Sequence, residues 1–486
     1  MLSGLAGVIA GLALLCLGCG NSYRPVEYPI APTAGNPKLA RFALVVYQGE
    51  VPSGSPSIPP STCVNGYSVP CIGATSEIDV SGDAIVTNVY VGHTPVQAVL
   101  SSQVVVSNQG DDSVSLFGLT TGTPSAGGTI STAVSLPAGS APTALAAANG
   151  LVYVADSGTT FTNASPPQLI IATAPTIAVV SPSSNTVLAT LNLQNGGACA
   201  TCSPIGLAAT PDGTKVYVAN NDISSSGNNH SVTVISTADN TISSTIALAL
   251  TVSPAAIVAD SSGTCVYVLS GGSDPSITII DVLSDTVVSS NKIHLPSGGN
   301  SNSMTFDPQL RRLYVTNPGT SSLSVFDATN PEAPTLVGGN PVTVGSGPCA
   351  VAVLPDGSSA YVVLGGAIGN QCSGTSNPGQ VAVINASSNT VSTTITVGDG
   401  PVAIAASGDG SRVYVPYQGI PGQLAANGVT KGVTVISVSS NLISASSNQV
   451  VTYLGAPFAD PACESENGPN PCNGLNRLNP VFIVSQ

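Results

Sequence analysis

The residues best equipped for chemistry in this 486-residue chain are its 11 cysteines and 3 histidines, set among 24 Asp plus Glu and only 10 Lys plus Arg. Cys63 and Cys71 bracket a short loop, as do Cys463 and Cys472, while Cys199 and Cys202 form a CxxC and Cys349 and Cys372 fall in one repeat. Oxidised pairs Cys63–Cys71, Cys199–Cys202, Cys349–Cys372 and Cys463–Cys472 leave Cys265 as a buried thiol within a strand. A zinc site needs clustered thiolates or imidazoles, and neither a second CxxC nor a nearby His completes one. Ser203 follows the CxxC where haem attachment requires His. His93, in Val91-Gly-His-Thr-Pro95, occupies the place of Asp399 in Val397-Gly-Asp-Gly-Pro401. These two are the candidate catalytic groups, able to move a proton. His230 lies in an Asn-rich insertion and His294 ends a fourth strand. Asp111-Asp112 and Asn221-Asp222 offer oxygen ligands without the spaced carboxylates of a calcium loop. No nucleophile elbow, H-E-x-x-H pair, phosphate-binding loop or dinucleotide fingerprint is present. Neither a metal nor a cofactor is expected.

Those residues are carried by a repeat. Leu151-Val-Tyr-Val-Ala-Asp returns as Lys215-Val-Tyr-Val-Ala-Asn, Cys265-Val-Tyr-Val-Leu-Ser, Arg312-Leu-Tyr-Val-Thr-Asn, Ala360-Tyr-Val-Val and Arg412-Val-Tyr-Val-Pro. Degenerate copies begin at Gln103 and Phe42. An element like Pro204-Ile-Gly-Leu-Ala-Ala precedes each copy, and one like Ser231-Val-Thr-Val-Ile-Ser follows it. Asp212-Gly213, Asp356-Gly357 and Asp409-Gly410 mark turns between first and second strands, and Ser-Ser-Asn-Thr at 183–186 and 387–390 turns between third and fourth. Four short strands in about 50 residues specify a β-propeller blade. A parallel β-helix would repeat at about half that length.

Full modules begin near Pro95, Pro142, Pro204, Pro254, Ser301, Pro348 and Pro401, which makes seven. Residues 41–92 supply only the later strands of an eighth, and Asn479-Pro-Val-Phe-Ile-Val-Ser matches the missing first strand. The expected fold is therefore all-β, a single propeller of eight four-stranded antiparallel blades closed by both termini, with seven blades as the alternative. The Val-Tyr-Val-Ala-Asn and Leu-Tyr-Val-Thr-Asn copies resemble YVTN-type β-propeller repeats, related to lactonase-like propellers. That resemblance covers residues 40–486 and implies the fold. For activity it implies only an alternative, hydrolysis of a neutral lactone.

Residues 1–18 form an apolar run too short and Gly-rich to span a membrane comfortably, and read as a signal peptide. Leu17-Gly18-Cys19 resembles a bacterial lipobox, which implies lipidation of Cys19 and export, most simply as an outer-membrane lipoprotein facing the periplasm or the cell surface. Residues 19–39, with Pro25, Pro29, Pro32 and Pro37, form a tether, and 40–486 the propeller.

In a propeller, strand 2–3 and 4–1 connections share one rim, and 1–2 and 3–4 connections share the other. The second set reads as uniformly tight, whereas insertions at about 49–75, 156–176, 221–230, 365–379, 417–431 and 455–479 all fall on the first rim with the paired cysteines. Asn108, Asp156, Asn220 and Asn317 end their second strands near it, as candidate binding residues at the channel mouth. A net charge of −14 with 7% charged residues disfavours nucleic acid. The expected partner is a protein or glycan of the cell envelope, bound by a monomer that touches the membrane only through its anchor. A structural cell-surface protein is a further alternative.

Overall fold

The Val-Tyr-Val runs are apolar at every position, a pattern that suits strands covered on both faces. The computed structural model shows how this cover arises. It describes residues 42–48, 73–119, 129–161, 169–171, 173–196, 202–222, 229–249, 253–271, 275–288, 292–339, 341–368, 371–374, 376, 378–419, 431–438, 449–456 and 479–485. The chain forms eight four-stranded antiparallel blades arranged as a β-propeller.

Blade 1 joins Asn479–Ser485 to Phe42–Gln48, Gly73–Asp79 and Ala84–Val91, so the carboxy-terminal strand supplies the first position as expected. Blade 2 comprises Pro95–Leu100, Val104–Asn108, Ser113–Phe117 and Thr132–Ser135, and blade 3 Pro142–Ala148, Leu151–Asp156, Thr176–Ser181 and Thr186–Asn192. Blade 4 contains Cys202–Ala209, Lys215–Asp222, Ser231–Ser236 and Thr241–Ala247. Blades 5 and 6 begin with Pro254–Ala259, Cys265–Ser270, Ser276–Asp281 and with Ser303–Asp307, Arg312–Asn317, Ser322–Asp327. Blade 7 has Pro348–Val353, Ser359–Leu364, Gly379–Asn385 and Thr390–Val397, and blade 8 Ala405–Ala406, Arg412–Tyr417, Gly432–Ser437 and Gln449–Gly455. Each first strand packs on the next around the ring, and Ala405–Ala406 returns to Asn479–Ser485. The first strands are thus the inner wall.

Two features depart from the expected turns. The 3–4 connection of blade 2 is long, and its Thr129–Ile130 pairs parallel with Val89 and Tyr90 on the outer edge of blade 1. That extra strand covers an edge of the blade that closes the ring. The fourth strands of blades 5 and 6 are each broken into two short pieces, Thr286–Val287 with Ile293–His294 and Thr335–Leu336 with Val342–Thr343.

Eight apolar clusters fill the eight blade–blade interfaces. Strand alternation explains the continuous apolar runs: Val152 and Val154 face blade 2, whereas Tyr153 and Ala155 face blade 4. The tyrosine buries its ring in the interface and sends its hydroxyl to the 3–4 turn of the next blade. Tyr153 donates to Asn240 Oδ1 at 2.6 Å, Tyr217 to Asp285 Oδ1 at 2.5 Å and Tyr267 to Pro331 O at 2.9 Å. Other side chains at the start of the second strand do the same work. Gln103 donates to Pro182 O, Lys215 to Val282 O and Asp285, Arg312 to Ala386 O and Arg412 to Asp83. Six interfaces carry such a clasp among the described residues, and the turns that face the other two lie partly outside them. The receiving turns place Asp83, Asn185, Asn240, Asp285 and Asn389 at φ between 50° and 55°, a left-handed conformation that Asn and Asp tolerate best after Gly.

Candidate functional site

The loop-rich rim is built on a backbone collar. At blades 2, 3, 6 and 8 one carbonyl of the 4–1 connection accepts from the residue two past the end of the second strand. Gly110 N donates to His93 O at 3.0 Å, and Gly158 N to Ser140 O, Gly319 N to Gly299 O and Gly419 N to Asp399 O, each at 2.8 Å. His93 and Asp399 therefore hold equivalent collar positions, as their sequence contexts imply. They precede the inner strands of blades 2 and 8, however, with blade 1 between them. His93 N–H donates to Asp111 Oδ2 at 3.0 Å, and the Ser113 hydroxyl to Asp111 Oδ1 at 2.6 Å. Burial raises the Asp111 carboxyl above the ordinary carboxylate range, opposed by those hydrogen bonds and the nearby imidazole. His230 is buried in blade 4, where its Nδ1 accepts from Asp222 N–H at 3.1 Å; His294 is exposed on the outer strand of blade 5. The three histidines do not converge.

Asn108, Asp156, Asn220 and Asn317 form a second set of equivalents one layer below the collar. Three of them lie opposite the first residue of their module, in the pairs Asn108–Pro95, Asp156–Pro142 and Asn220–Pro204. All four are fully buried inside their blades. The amide of Asn108 donates to Ser113 and Ser115 at 3.0 Å, that of Asn220 to Ser231 and Thr233 at 3.3 and 2.9 Å, and that of Asn317 to Ser322 and Ser324 at 3.3 and 3.0 Å. They clip the second strand to the third at the base of each rim loop. A spacing of Asn followed by hydroxyls five and seven residues later, present at 108 and 317, signals this role in the sequence.

The clips differ in one respect. In blade 6 the module opens with Ser301, whose hydroxyl donates to Asn317 Oδ1 at 2.6 Å. Pro95, Pro142 and Pro204 have no donor to offer, and Oδ1 of Asn108, Asp156 and Asn220 is buried without a partner. Pro204→Ser is expected to satisfy Asn220 Oδ1. A satisfied buried acceptor recovers about 1–3 kcal/mol, against a loss of about 0.4–1 kcal/mol from the freer unfolded chain. A net gain of about 1 kcal/mol should appear as a higher denaturation midpoint with unchanged slope.

Asp156 is the charged member of this layer. Its Oδ2 accepts from the Thr176 hydroxyl at 2.9 Å, and burial, with a smaller contribution from the negative Asp112, lifts its carboxyl to about 7. Asp112 itself is engaged, accepting from Gly139 N and Ala141 N at 2.7 and 2.8 Å.

The inner wall has little chemical equipment. Across the eight first strands the only charged side chain is Asp307, which sits at the tight-turn end and accepts from the amides of Gln309 and Leu310. Among the described residues no group of three or more His, Cys, Asp or Glu could hold a metal ion. A groove of about 470 Å³ lies between the outer parts of blades 6 and 7, lined by residues such as Pro341, Val342, Ser388 and Asn389, away from the collar.

The rim itself carries structure. Thr159–Phe161 pairs with Leu169–Ile171 beyond blade 3, and Ala367–Ile368 with Gln371–Cys372 beyond blade 7, so two hairpins rise from opposite sides of the eight-bladed ring. The second hairpin is tied to the inner strand of its own blade by the Cys349–Cys372 disulfide. Cys202 is also disulfide-bonded; its expected partner Cys199 lies outside the described residues, as do Cys63, Cys71, Cys463, Cys472 and Cys19. Cys265 is a buried free thiol.

No curated protein matches the chain. Among solved structures it is similar to the Kuenenia stuttgartiensis hydrazine synthase, at 17% identity over 71% of this chain and 96% of that one with a TM-score of 0.49. It is also similar to a functionally unknown protein from Desulfotomaculum acetoxidans DSM 771, at 15% identity over 85% of this chain and 95% of that one with a TM-score of 0.44. A family model, the Choice-of-anchor I domain, matches residues 302–456, which run from the inner strand of blade 6 to the outer strand of blade 8.

Proposed function

We propose that this chain is an exported binding scaffold, lipid-anchored through Cys19 after removal of residues 1–18 and held off the membrane by the 19–39 tether. It engages a protein or glycan of the cell envelope through its loop-rich rim, as a YVTN-type propeller whose longest loops are stapled by disulfides. The observation that carries this reading is the asymmetry of the ring. Both hairpins and the Cys349–Cys372 bond stand on one rim, above first strands that carry almost no charge. Long loops ordered on a rigid frame are where binding is expected, and the entropy of ordering them is reduced by staples. The name of the domain matched over residues 302–456 accords with attachment at a surface.

A hydrolase would need an acid–base pair converging on one substrate atom, whereas His93 and Asp399 are a blade apart. Proton release measured in a pH-stat against neutral and phosphorylated lactones should therefore show no saturable turnover. Turnover lost with His93→Ala or Asp399→Asn would sink the binding reading in favour of catalysis. Mass rising with concentration in the absence of any partner would point to self-assembly as the activity.

A further inference from the structure

We propose that Asp156 is a proton-dependent clasp at the base of the blade 3 hairpin, closing that base when its carboxyl is protonated and loosening it when ionised. This deepens the binding reading, because it regulates the same rim, but it can be tested without any partner.

Asp156 ends the second strand of blade 3 and Thr176 begins the third, so the hydrogen bond between their side chains joins the two ends of the 157–175 connection. Backbone bonds complete the base: Gly158 N donates to Ser140 O at 2.8 Å and Thr173 N to Gly158 O at 3.1 Å. The Thr173 hydroxyl donates to Gly139 O at 2.7 Å. In blades 2, 4 and 6 the clip is made by a neutral Asn whose amide donates to two hydroxyls. Blade 3 alone among these has an acid, and an ionised acid cannot donate.

The surroundings offer the anion one hydrogen bond, from the Thr176 hydroxyl, which pulls its pKa down but is outweighed by burial. Asp156 is fully buried, Oδ1 has no partner, and Pro142 stands opposite where blade 6 has the donor Ser301. The charged groups facing it come from the 2–3 turn of blade 2: Asp112, with Asp111 and the adjoining His93 beyond. Strands Pro95–Leu100, Pro142–Ala148, Thr176–Ser181 and Cys202–Ala209, packed around it, contain no charged side chain. The 157–175 connection contains no ionisable side chain at all, so any pH response of its base must originate in these neighbours.

The direction follows from linkage. Closed, the carboxyl is raised by burial to about 7; open to water, it returns to the ordinary value of 3.8. The proton therefore favours the closed base fully below about 4. That advantage falls about tenfold per pH unit as pH rises towards 7, then levels off.

Hydrogen exchange at Gly158 and Thr173, corrected for intrinsic rates, reads the base directly in the purified full-length protein. Protection should fall about 50-fold between pH 5 and 7 and by no more than about another twofold above that. Asp156→Asn, which keeps the Thr176 partner and cannot ionise, should hold protection high and flat. Pro142→Ser, which offers a hydroxyl to Oδ1, should move the transition to lower pH. His93→Gln should leave it in place. Protection in the wild type that does not vary with pH, or a transition that survives Asp156→Asn, overturns the proposal. Failure to find an envelope partner would count against the binding reading and alter neither exchange result.

Discussion

Replacing Arg412 with alanine should destabilise the propeller by about 3–5 kcal/mol, the cost of leaving a buried charge without its partner. Arg412 is 2% exposed, and its guanidinium meets Asp83 with two parallel bonds, Nε to Oδ1 at 2.6 Å and Nη2 to Oδ2 at 2.8 Å. This clasp joins blade 8 to blade 1, beside the interface where Ala405–Ala406 packs on the carboxy-terminal strand. Its loss should be felt first at ring closure, as faster proteolysis at Asn479–Ser485 before global unfolding. Arg412→Lys should recover only part, because an ammonium cannot reproduce the planar fork. Asp83 occupies φ 50°, so Asn rather than Ala is the appropriate partner substitution. In the double variant Arg412→Ala/Asp83→Asn the losses should fall short of additive by more than 1 kcal/mol, since the second change removes the stranded charge. Additive losses would mean that the pair contributes nothing beyond its separate contacts.

Removing the rim disulfide should have a comparable but local effect. Cys349 and Cys372 are 23 residues apart, and closing a loop of that size is worth about 3 kcal/mol by chain entropy. Cys349 is 2% exposed among apolar neighbours, so Cys349→Ala/Cys372→Ala avoids burying an unpaired hydroxyl. The expected result is loss of exchange protection in the blade 7 hairpin with little change in the strands of blades 3 and 4. Exchange with the Cys265 thiol is not a complication. Burial pushes the Cys265 thiol up to about 12, and a thiol without thiolate neither attacks nor reshuffles. Labelling of Cys265 should thus report global unfolding only.

Most of the architecture is legible in the residues. The recurring Val-Tyr-Val strand, the Asp-Gly turns and the likeness of Asn479-Pro-Val-Phe to the other module openings lead to eight blades closed by both termini, and the ring is built that way. Gly213, Gly357 and Gly410 take φ near 70° where those turns require it. What escaped reading is contact between blades. Tyr153 meets Asn240 across 87 residues and Tyr217 meets Asp285 across 68, spacings that no local pattern reveals. The broken outer strands of blades 5 and 6 escaped for a different reason. Half-exposed edge strands are held by one neighbour only, so alternation specifies them weakly. Thr129–Ile130 pairs with a different blade from the one its position in the chain implies, for reasons that arise only when the ring closes.

The site was legible in position more than in role. His93 and Asp399 do share a collar position, but their separation by a blade depends on the order in which the ring closes. Asn108, Asp156, Asn220 and Asn317 lie at the rim end of their strands as their place in the repeat implies. Their burial and clipping role follow from hydroxyls on the third strand, and Ser301 in place of proline explains why Asn317 alone of the four has both amide atoms bonded.

The most direct test of the scaffold reading is saturable binding of the purified protein to isolated envelope proteins and glycans, compared between variants of the two rims. Cys349→Ala/Cys372→Ala loosens the loop-rich rim. Leu283→Glu and Leu310→Glu alter the tight-turn rim, where these side chains are 93% and 37% exposed. Binding should weaken at least about tenfold, or about 1.4 kcal/mol, without the disulfide and be unchanged by the two leucine substitutions. Binding that ignores the disulfide but fails with Leu283→Glu or Leu310→Glu would contradict the scaffold reading.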